Sequence, residues 1–336
     1  MENIEIDNPI GRVENSWLEK RTLLKDVLPL TIPLNIKVEP TRACNFKCIY
    51  CIHSTRKQEK ENPLTIELFQ KFIDGWDFNE KTKSISFAGL GEPLLNKYTP
   101  KFISMSKEIA KETILVTNGS LLTKTIIDKL IEAQLDTIRI SLQGLNVEDY
   151  KKNCDFSLNI EKFLENLEYF SKNKTNTKIW VKMPDIILNS EDKKEKYYEM
   201  FKDKCDYLTT MTIQPLFKNS NVDYSNMQID NSKSIFEEDT KQVLVCSQPF
   251  YTLYLLADGT IYPCCSLEKP GLSVGNINEN TIFEIWNSEK FKNFRLKHLK
   301  STYNNMSICK NCEEPDVLNN HYDNIDSEKE RLISLY

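Results

Sequence analysis

Leu34-Asn35-Ile36-Lys37-Val38-Glu39-Pro40-Thr41-Arg42-Ala43-Cys44-Asn45-Phe46-Lys47-Cys48-Ile49-Tyr50-Cys51 sets three cysteines within eight residues, directly after a strand. Leu34, Ile36 and Val38 alternate with Asn35, Lys37 and Glu39, the period of a half-buried strand. Residues 64–73 then read as helix. Further short apolar runs follow at 84–89, 113–117, 135–142, 179–183 and 208–214, which makes six strands in all. Helical stretches separate them, the clearest being Ile160, Phe163, Leu164, Leu167 and Phe170, whose spacing puts all five on one face. Alternating β and α units imply an α/β chain with a parallel sheet and right-handed crossovers. No G-x-G-x-x-G follows the first strand, so a partial (β/α)6, TIM-like barrel fits better than a dinucleotide fold. The chemistry of such sheets sits at the C-terminal ends of the strands.

Composition bounds the function. The chain has 336 residues, 40% hydrophobic and 28% charged, with a net charge of -5. That suits a soluble globular protein with one large core and a smaller second unit, and argues against nucleic-acid or membrane-surface binding. No run approaches the roughly 18 apolar residues a spanning helix needs. Met1 to Ile10 is acidic and polar, unlike a secretory signal. The expected compartment is the cytoplasm, where ten cysteines read as metal ligands or buried thiols.

The cysteines fall into two groups, Cys44, Cys48 and Cys51 early and Cys246, Cys264, Cys265, Cys309 and Cys312 late, with Cys154 and Cys205 alone between them. The stretch 218–240 is rich in Asn, Ser and Asp and reads as a linker. The expected division is an N-terminal extension over 1–31, a barrel over 32–217, a linker over 218–244, a second metal unit over 245–318 and a tail over 319–336. Three thiolates in the first loop can hold three irons of a four-iron cubane and leave one open to substrate or cofactor. The competing reading is zinc completed by His53 or a distant residue. His298 and His321 show no ligand spacing.

C-x3-C-x2-C after a first strand resembles the radical S-adenosylmethionine superfamily. That resemblance implies a [4Fe-4S] cluster on Cys44, Cys48 and Cys51 whose open iron takes S-adenosylmethionine, and a 5′-deoxyadenosyl radical that abstracts hydrogen from a substrate. Tyr50 stands where the family places a side chain beside the adenine. Gly89-Leu90-Gly91-Glu92-Pro93 resembles the family's Gly-Gly-Glu-Pro motif with Leu90 as a departure, Gly91 allowing close backbone approach to a ligand and Glu92 accepting from the cofactor's ammonium. Asn118, in Thr117-Asn118-Gly119, is expected as a polar contact or turn-former. Ser141 matches the Ser-x-Asp-Gly serine that reaches the cofactor carboxylate, while Gln143 departs from that pattern. Lys182 and Gln214 point to the same mouth. The resemblance also implies an electron donor such as flavodoxin or ferredoxin.

The last third reads as a hairpin, with strands over 250–257 and 260–263 and a type I′ turn at Asp258-Gly259. A capping box, Thr281 to Glu284, opens a helix through Ile285, Trp286 and Phe291. Hairpin, helix and paired cysteines resemble the twitch and SPASM auxiliary-cluster extensions of the same superfamily. Cys246, Cys264, Cys309 and Cys312 would saturate a second [4Fe-4S] cluster, and the absence of later cysteines implies the single-cluster twitch form. A zinc ribbon is the alternative. Cys154, Cys205 and Cys265 remain as buried thiols, or as hydrogen donors to a substrate radical; none of them is expected at the barrel mouth. The substrate implied is a small sugar-like or aminocyclitol-like molecule, oxidised or epimerised at a carbinol carbon. The alternative is a ribosomally made precursor peptide, disfavoured because the residues before the first strand fall short of a leader-binding domain.

Overall fold

The computed structural model describes residues 22–336 apart from 56–61, 217–220, 228, 231, 233, 236–238, 266–270, 302–304, 311, 313 and 319. The expectations for Met1 to Ile10 and for about a third of the linker lie outside the described residues. Six strands run parallel and in sequence order: β1 (Asn35–Val38), β2 (Thr82–Phe87), β3 (Ala110–Thr117), β4 (Thr137–Ser141), β5 (Lys178–Pro184) and β6 (Tyr207–Met211). Helices link successive strands, and Thr65, Thr123, Asn146, Asn159 and Ser190 each accept a backbone N–H at a helix start. This is the partial α/β barrel that the strand pattern implies.

Alternation along the strands divides two environments. Ile36, Val38, Phe87, Leu115, Ile138, Ile140, Ile179 and Val181 pack outward against the helices in one apolar core with Phe69, Phe72 and Phe102. Burying each such side chain contributes roughly 1.5–3 kcal/mol. The intervening positions, among them Lys37, Ser86, Arg139, Ser141 and Lys182, therefore face the inside of the barrel.

The sheet continues through the division the composition suggests. β7 (Thr252–Leu255) lies parallel to β1 on the edge away from β2, with Ile36 opposite Leu253. β8 (Thr260–Tyr262) and β9 (Gly275–Asn276) extend it antiparallel, giving nine strands in the order β6-β5-β4-β3-β2-β1-β7-β8-β9. Leu253, Leu255, Ile261, Trp286 and Phe291 belong to the same apolar core as β1. A second core joins Leu24 and Leu28 to Phe250, Leu299, Ile325 and Leu332, so the described part of the extension and the tail pack together.

Three local expectations are corrected. Gln248–Tyr251 is a helical turn, and the strand begins only at Thr252. At the hairpin only Gly259 has positive φ, +86°, whereas a type I′ turn needs two such residues. The Gly259 N–H instead donates to Leu256 O at 3.0 Å and the Leu256 N–H to Thr260 O at 2.9 Å, a three-residue loop with a left-handed glycine. The capping box at Thr281 and Glu284 is present, but its helix (Ile282–Asn287) stops at Ser288, whose side chain caps a second helix (Glu289–Lys300).

Candidate active site

The cysteine loop follows β1 and is held from two sides. Lys47 N–H and Ile49 N–H donate to Cys154 O (2.8 Å) and Asn153 O (2.9 Å), carbonyls that end the helix Val147–Cys154 and would otherwise lack partners. Phe46, fully buried, packs on Phe156 and Tyr150 with ring centroids 4.7 and 5.9 Å away. On the other side Asn118 donates to Asn45 Oδ1 (2.8 Å), Asn45 donates to Ser120 Oγ (2.8 Å), and Ser120 Oγ donates back to Asn118 Oδ1 (2.7 Å). Asn118 is thus a tie between the loop and the end of β3.

The Gly89–Pro93 turn locks onto the same loop. Gly89 has φ +138°, and a Cβ there would meet the Glu39 side chain at 2.8 Å. A Cβ on Gly91 would sit 2.1 Å from Thr41 O and 2.6 Å from Ala43 O. The close approach that Gly91 permits is therefore to the cysteine-loop backbone, reinforced by the Glu92 N–H bond to Ala43 O at 2.9 Å. The Glu92 carboxylate is buried and already accepts from Thr117 Oγ1 (2.7 Å), Leu94 N–H (3.0 Å) and Asn118 N–H (2.7 Å). Burial pushes its pKa up against the pull of those donors. A carboxylate has about four acceptor positions, so one remains for a further donor.

His53 Nε2 lies 2.7 Å from Leu90 O, which engages that nitrogen in a backbone contact. No group of three or more His, Cys, Asp or Glu among the described residues is spaced for a single metal ion. Zinc would draw its ligands to about 2.0–2.3 Å from one centre. The half-buried thiols of Cys44, Cys48 and Cys51 suit a wider body such as a four-iron cluster.

At the strand ends, Tyr50 Oη donates to Gln143 Oε1 (2.9 Å), and the Tyr50 carbonyl accepts from Tyr224 Oη (3.1 Å). Gln143 is buried and departs from the family pattern to position Tyr50, a role that the motif comparison alone conceals. Ser141 and Lys182 are register partners on β4 and β5. Burial pushes the Lys182 ammonium down to about 8, helped by the charges of Arg139 and Lys37. Gln214 lies beyond the end of β6, buried, with its Nε2 on Asp230 O at 3.2 Å.

The second cysteine set converges on a separate pocket, lined by Cys246, Cys264, Cys309 and Cys312. His298, to which the spacing gave no role, lines it too, with Nδ1 3.0 Å from Phe294 O and Nε2 3.7 Å from Cys309 Sγ. Its signal was invisible in sequence because the ring reaches Cys309 from a helix eleven residues earlier. Four thiols on one cavity wall fit a saturated cluster. Cys265 points elsewhere, among Tyr254, Leu256 and Leu90, with its thiol on Glu314 Oε2 at 2.6 Å. Tyr254 is the register partner of the inward-facing Lys37, which places Cys265 nearer the inside of the barrel than expected. Cys154 lies beside Cys48, its thiol donating to Tyr150 O at 3.0 Å. Cys205 precedes β6, at the opposite end of the barrel from the cysteine loop, and burial pushes it up to about 12.

Residues 38–196 match the model of the radical SAM superfamily, and residues 246–313 that of an iron-sulfur cluster-binding domain. The chain is 24% identical, over 84% of its length and 93% of the relative's, to the S-adenosyl-L-methionine-dependent 2-deoxy-scyllo-inosamine dehydrogenase of Niallia circulans. It is 37% identical to the GTP 3′,8-cyclase of Aliarcobacter butzleri (strain RM4018) over 41% of this chain, and spans 42% of that relative. Among solved structures, BtrN in complex with AdoMet and 2-DOIA superimposes with TM-score 0.53 at 22% identity, covering 84% of this chain and 93% of that one. Streptococcus suis SuiB bound to precursor peptide SuiA gives TM-score 0.61 at 17% identity, covering 81% and 69%. These structural likenesses concern the fold. No helix among the described residues is long and apolar enough to cross a membrane.

Proposed function

From a chain that belongs to the radical S-adenosylmethionine superfamily and carries a C-terminal iron-sulfur cluster-binding domain, we infer a dehydrogenase that oxidises a carbinol carbon of a sugar-like or aminocyclitol-like substrate. The observation that carries this reading is the similarity to a dehydrogenase of that kind over nearly the whole of both chains. Cys44, Cys48 and Cys51 would hold the first cluster and Cys246, Cys264, Cys309 and Cys312 the second. When bound, the open iron and S-adenosylmethionine supply a radical that takes one hydrogen atom from a C–H bond.

The chain's own residues do the rest. Tyr50, pinned by Gln143, and Ser141 would face the cofactor across the strand ends. Gly91, Glu92 and Asn118 would act mainly by fixing the loop that carries the cysteines. Lys182, whose amine is held near neutrality, would take the carbinol proton at Nζ. The overall change is S-adenosylmethionine plus a secondary alcohol giving methionine, 5′-deoxyadenosine, the corresponding ketone and a proton, which balances with no net electron consumed. A flavodoxin or ferredoxin would supply the starting electron, and we place the reaction in the cytoplasm.

Cys265 favours a second reading, epimerisation, because its thiol is the leftover one that packs beside Tyr254, the register partner of the inward-facing Lys37. Peptide modification is the third. Turnover in deuterated water separates them: a product 2 Da lighter with a carbonyl supports dehydrogenation. An isomer of the substrate with one solvent deuterium, lost in Cys265→Ala, would replace that reading with epimerisation.

A further inference from the structure

The inner face of the barrel is built from charge rather than from the apolar layers that fill a closed (β/α)8 barrel. Its N-terminal end is plugged by one neutral pair and one carboxylate: Ser84 Oγ donates to Asn35 Oδ1 (2.7 Å) and Thr137 Oγ1 to Glu112 Oε1 (2.9 Å). Above that plug stand Lys37 on β1 and Arg139 on β4, both half-buried, with Lys182 on β5 nearer the mouth. Lys37 Nζ lies 5.1 Å from the ring centroid of Tyr254, its register partner on β7, and the Arg139 guanidinium 5.2 Å from that of Trp180, its partner on β5. The three cations feel one another: burial and then the charges of Arg139 and Lys37 lower Lys182, and burial lowers Lys37, with Arg139 adding to it and Cys265 and Glu314 opposing it. Neither Lys37 nor Lys182 has a carboxylate within ion-pairing distance among the described residues; Cys265 and then Glu314 act on Lys37 from the β7 side, and Glu112 acts on Arg139.

A separate observation marks the same place. Tyr254 is 3% exposed, and its hydroxyl is buried with no hydrogen-bond partner among the described residues. A buried donor of this kind is rarely left unmade in a protein at work. An oxyanion beside Lys37 would accept from it.

We propose that Lys37, Arg139 and Tyr254 form a subsite for an anionic group, a phosphate ester or a carboxylate, on the polyol substrate, and that the enzyme selects against substrates bearing an ammonium. The inference rests on the reading of a sugar-like or aminocyclitol-like substrate above and narrows it to acidic sugars. It also separates this chain from its Niallia circulans relative, which is named for an inosamine, an amine. An ammonium placed beside Lys37 and Arg139 would be repelled, whereas a phosphate ester would replace their mutual repulsion with charge-assisted hydrogen bonds.

The test is calorimetric titration of reconstituted holoenzyme, loaded with S-adenosylmethionine, with glucose 1-phosphate, glucuronate, glucose and 2-deoxy-scyllo-inosamine. At least one acidic ligand should bind about tenfold or more tighter than glucose, as one added charged hydrogen bond implies, and the inosamine no tighter than glucose. Which acidic ligand wins identifies phosphate or carboxylate as the group held. Lys37→Gln should weaken the acidic ligand about tenfold while leaving glucose within about twofold, and Lys37→Arg should retain most of the preference. If Lys37→Gln loses its cluster absorbance, Tyr254→Phe takes its place with a smaller loss in the same direction. Tightest binding of the inosamine, no binding of either acidic ligand, or equal weakening of all ligands in the variants would overturn the proposal. Because carbonyl formation is not read, the dehydrogenase reading fails independently: an acidic polyol that binds and is never oxidised refutes that reading alone.

Discussion

Lys182→Met removes a cation that the fold tolerates at a cost. The unperturbed lysine value is 10.5 and burial, with two like charges, brings Lys182 to about 8. Between those values the unfolded chain holds a proton that the folded chain has released, so stability rises with pH across that window and the cost is full below about 8. At about 1.36 kcal/mol per pH unit, the shift is worth at most about 3 kcal/mol, and water on the inner face reduces it towards about 2. The Met variant escapes this. Relative to the parent it should therefore melt higher at pH 7 than at pH 10, by roughly 3–5 °C for a chain of this size. Parallel melting curves of the two anaerobic holoenzymes at both pH values provide the assay. The variant should also lose carbonyl formation while keeping both clusters. A melting difference independent of pH would refute the electrostatic account of the inner face, and full activity in the variant would remove Lys182 as the proton acceptor.

Gly91→Ala places a methyl 2.1 Å from Thr41 O, more than 1 Å inside van der Waals contact, so the cysteine loop must move. We expect about 1–3 kcal/mol of destabilisation and a lower iron content at the first site, with the four iron atoms of the second retained; normal iron loading would show the clash to be absorbed elsewhere. Asp136 concerns the fold alone. Burial pushes its carboxyl up, but the Lys107 ammonium and the N–H and hydroxyl of Thr113 together hold it below the usual range. Its stabilisation is present above the unfolded value of 3.8 and lost as pH falls through the lower folded value. Asp136→Asn should therefore destabilise at pH 7 by about 1 kcal/mol, given the exposure of the site, and the gap should close in acid. A gap that stays constant as pH falls below 3.8 would point to shape rather than charge.

The barrel was legible because period-two strands and helical crossovers repeat with little interruption, and the first cysteine loop because its ligands are adjacent in sequence. What sequence could not give was contact made across the fold. β7 pairs with β1 across more than 200 residues, so the auxiliary unit reads as separate although it shares the sheet. Gly91 reads as a ligand-approach glycine because the Thr41 and Ala43 carbonyls that require it are placed by the fold. Gln143 reads as a lapse from a motif until Tyr50 is seen on it. The inward cations were hidden for a similar reason: Lys37 and Arg139 look like the solvated faces of their strands, and only the curvature of the sheet brings their charges within reach of Lys182.

The central claim is that oxidation of a carbinol returns the electron that begins the reaction. Holoenzyme charged with a limiting amount of a one-electron reductant, then given S-adenosylmethionine and the acidic polyol it binds tightest, should form more than one carbonyl per electron supplied. Carbonyl, 5′-deoxyadenosine and methionine should appear in equal amounts. Deoxyadenosine and methionine formed at no more than one per electron, without a carbonyl, would contradict the account.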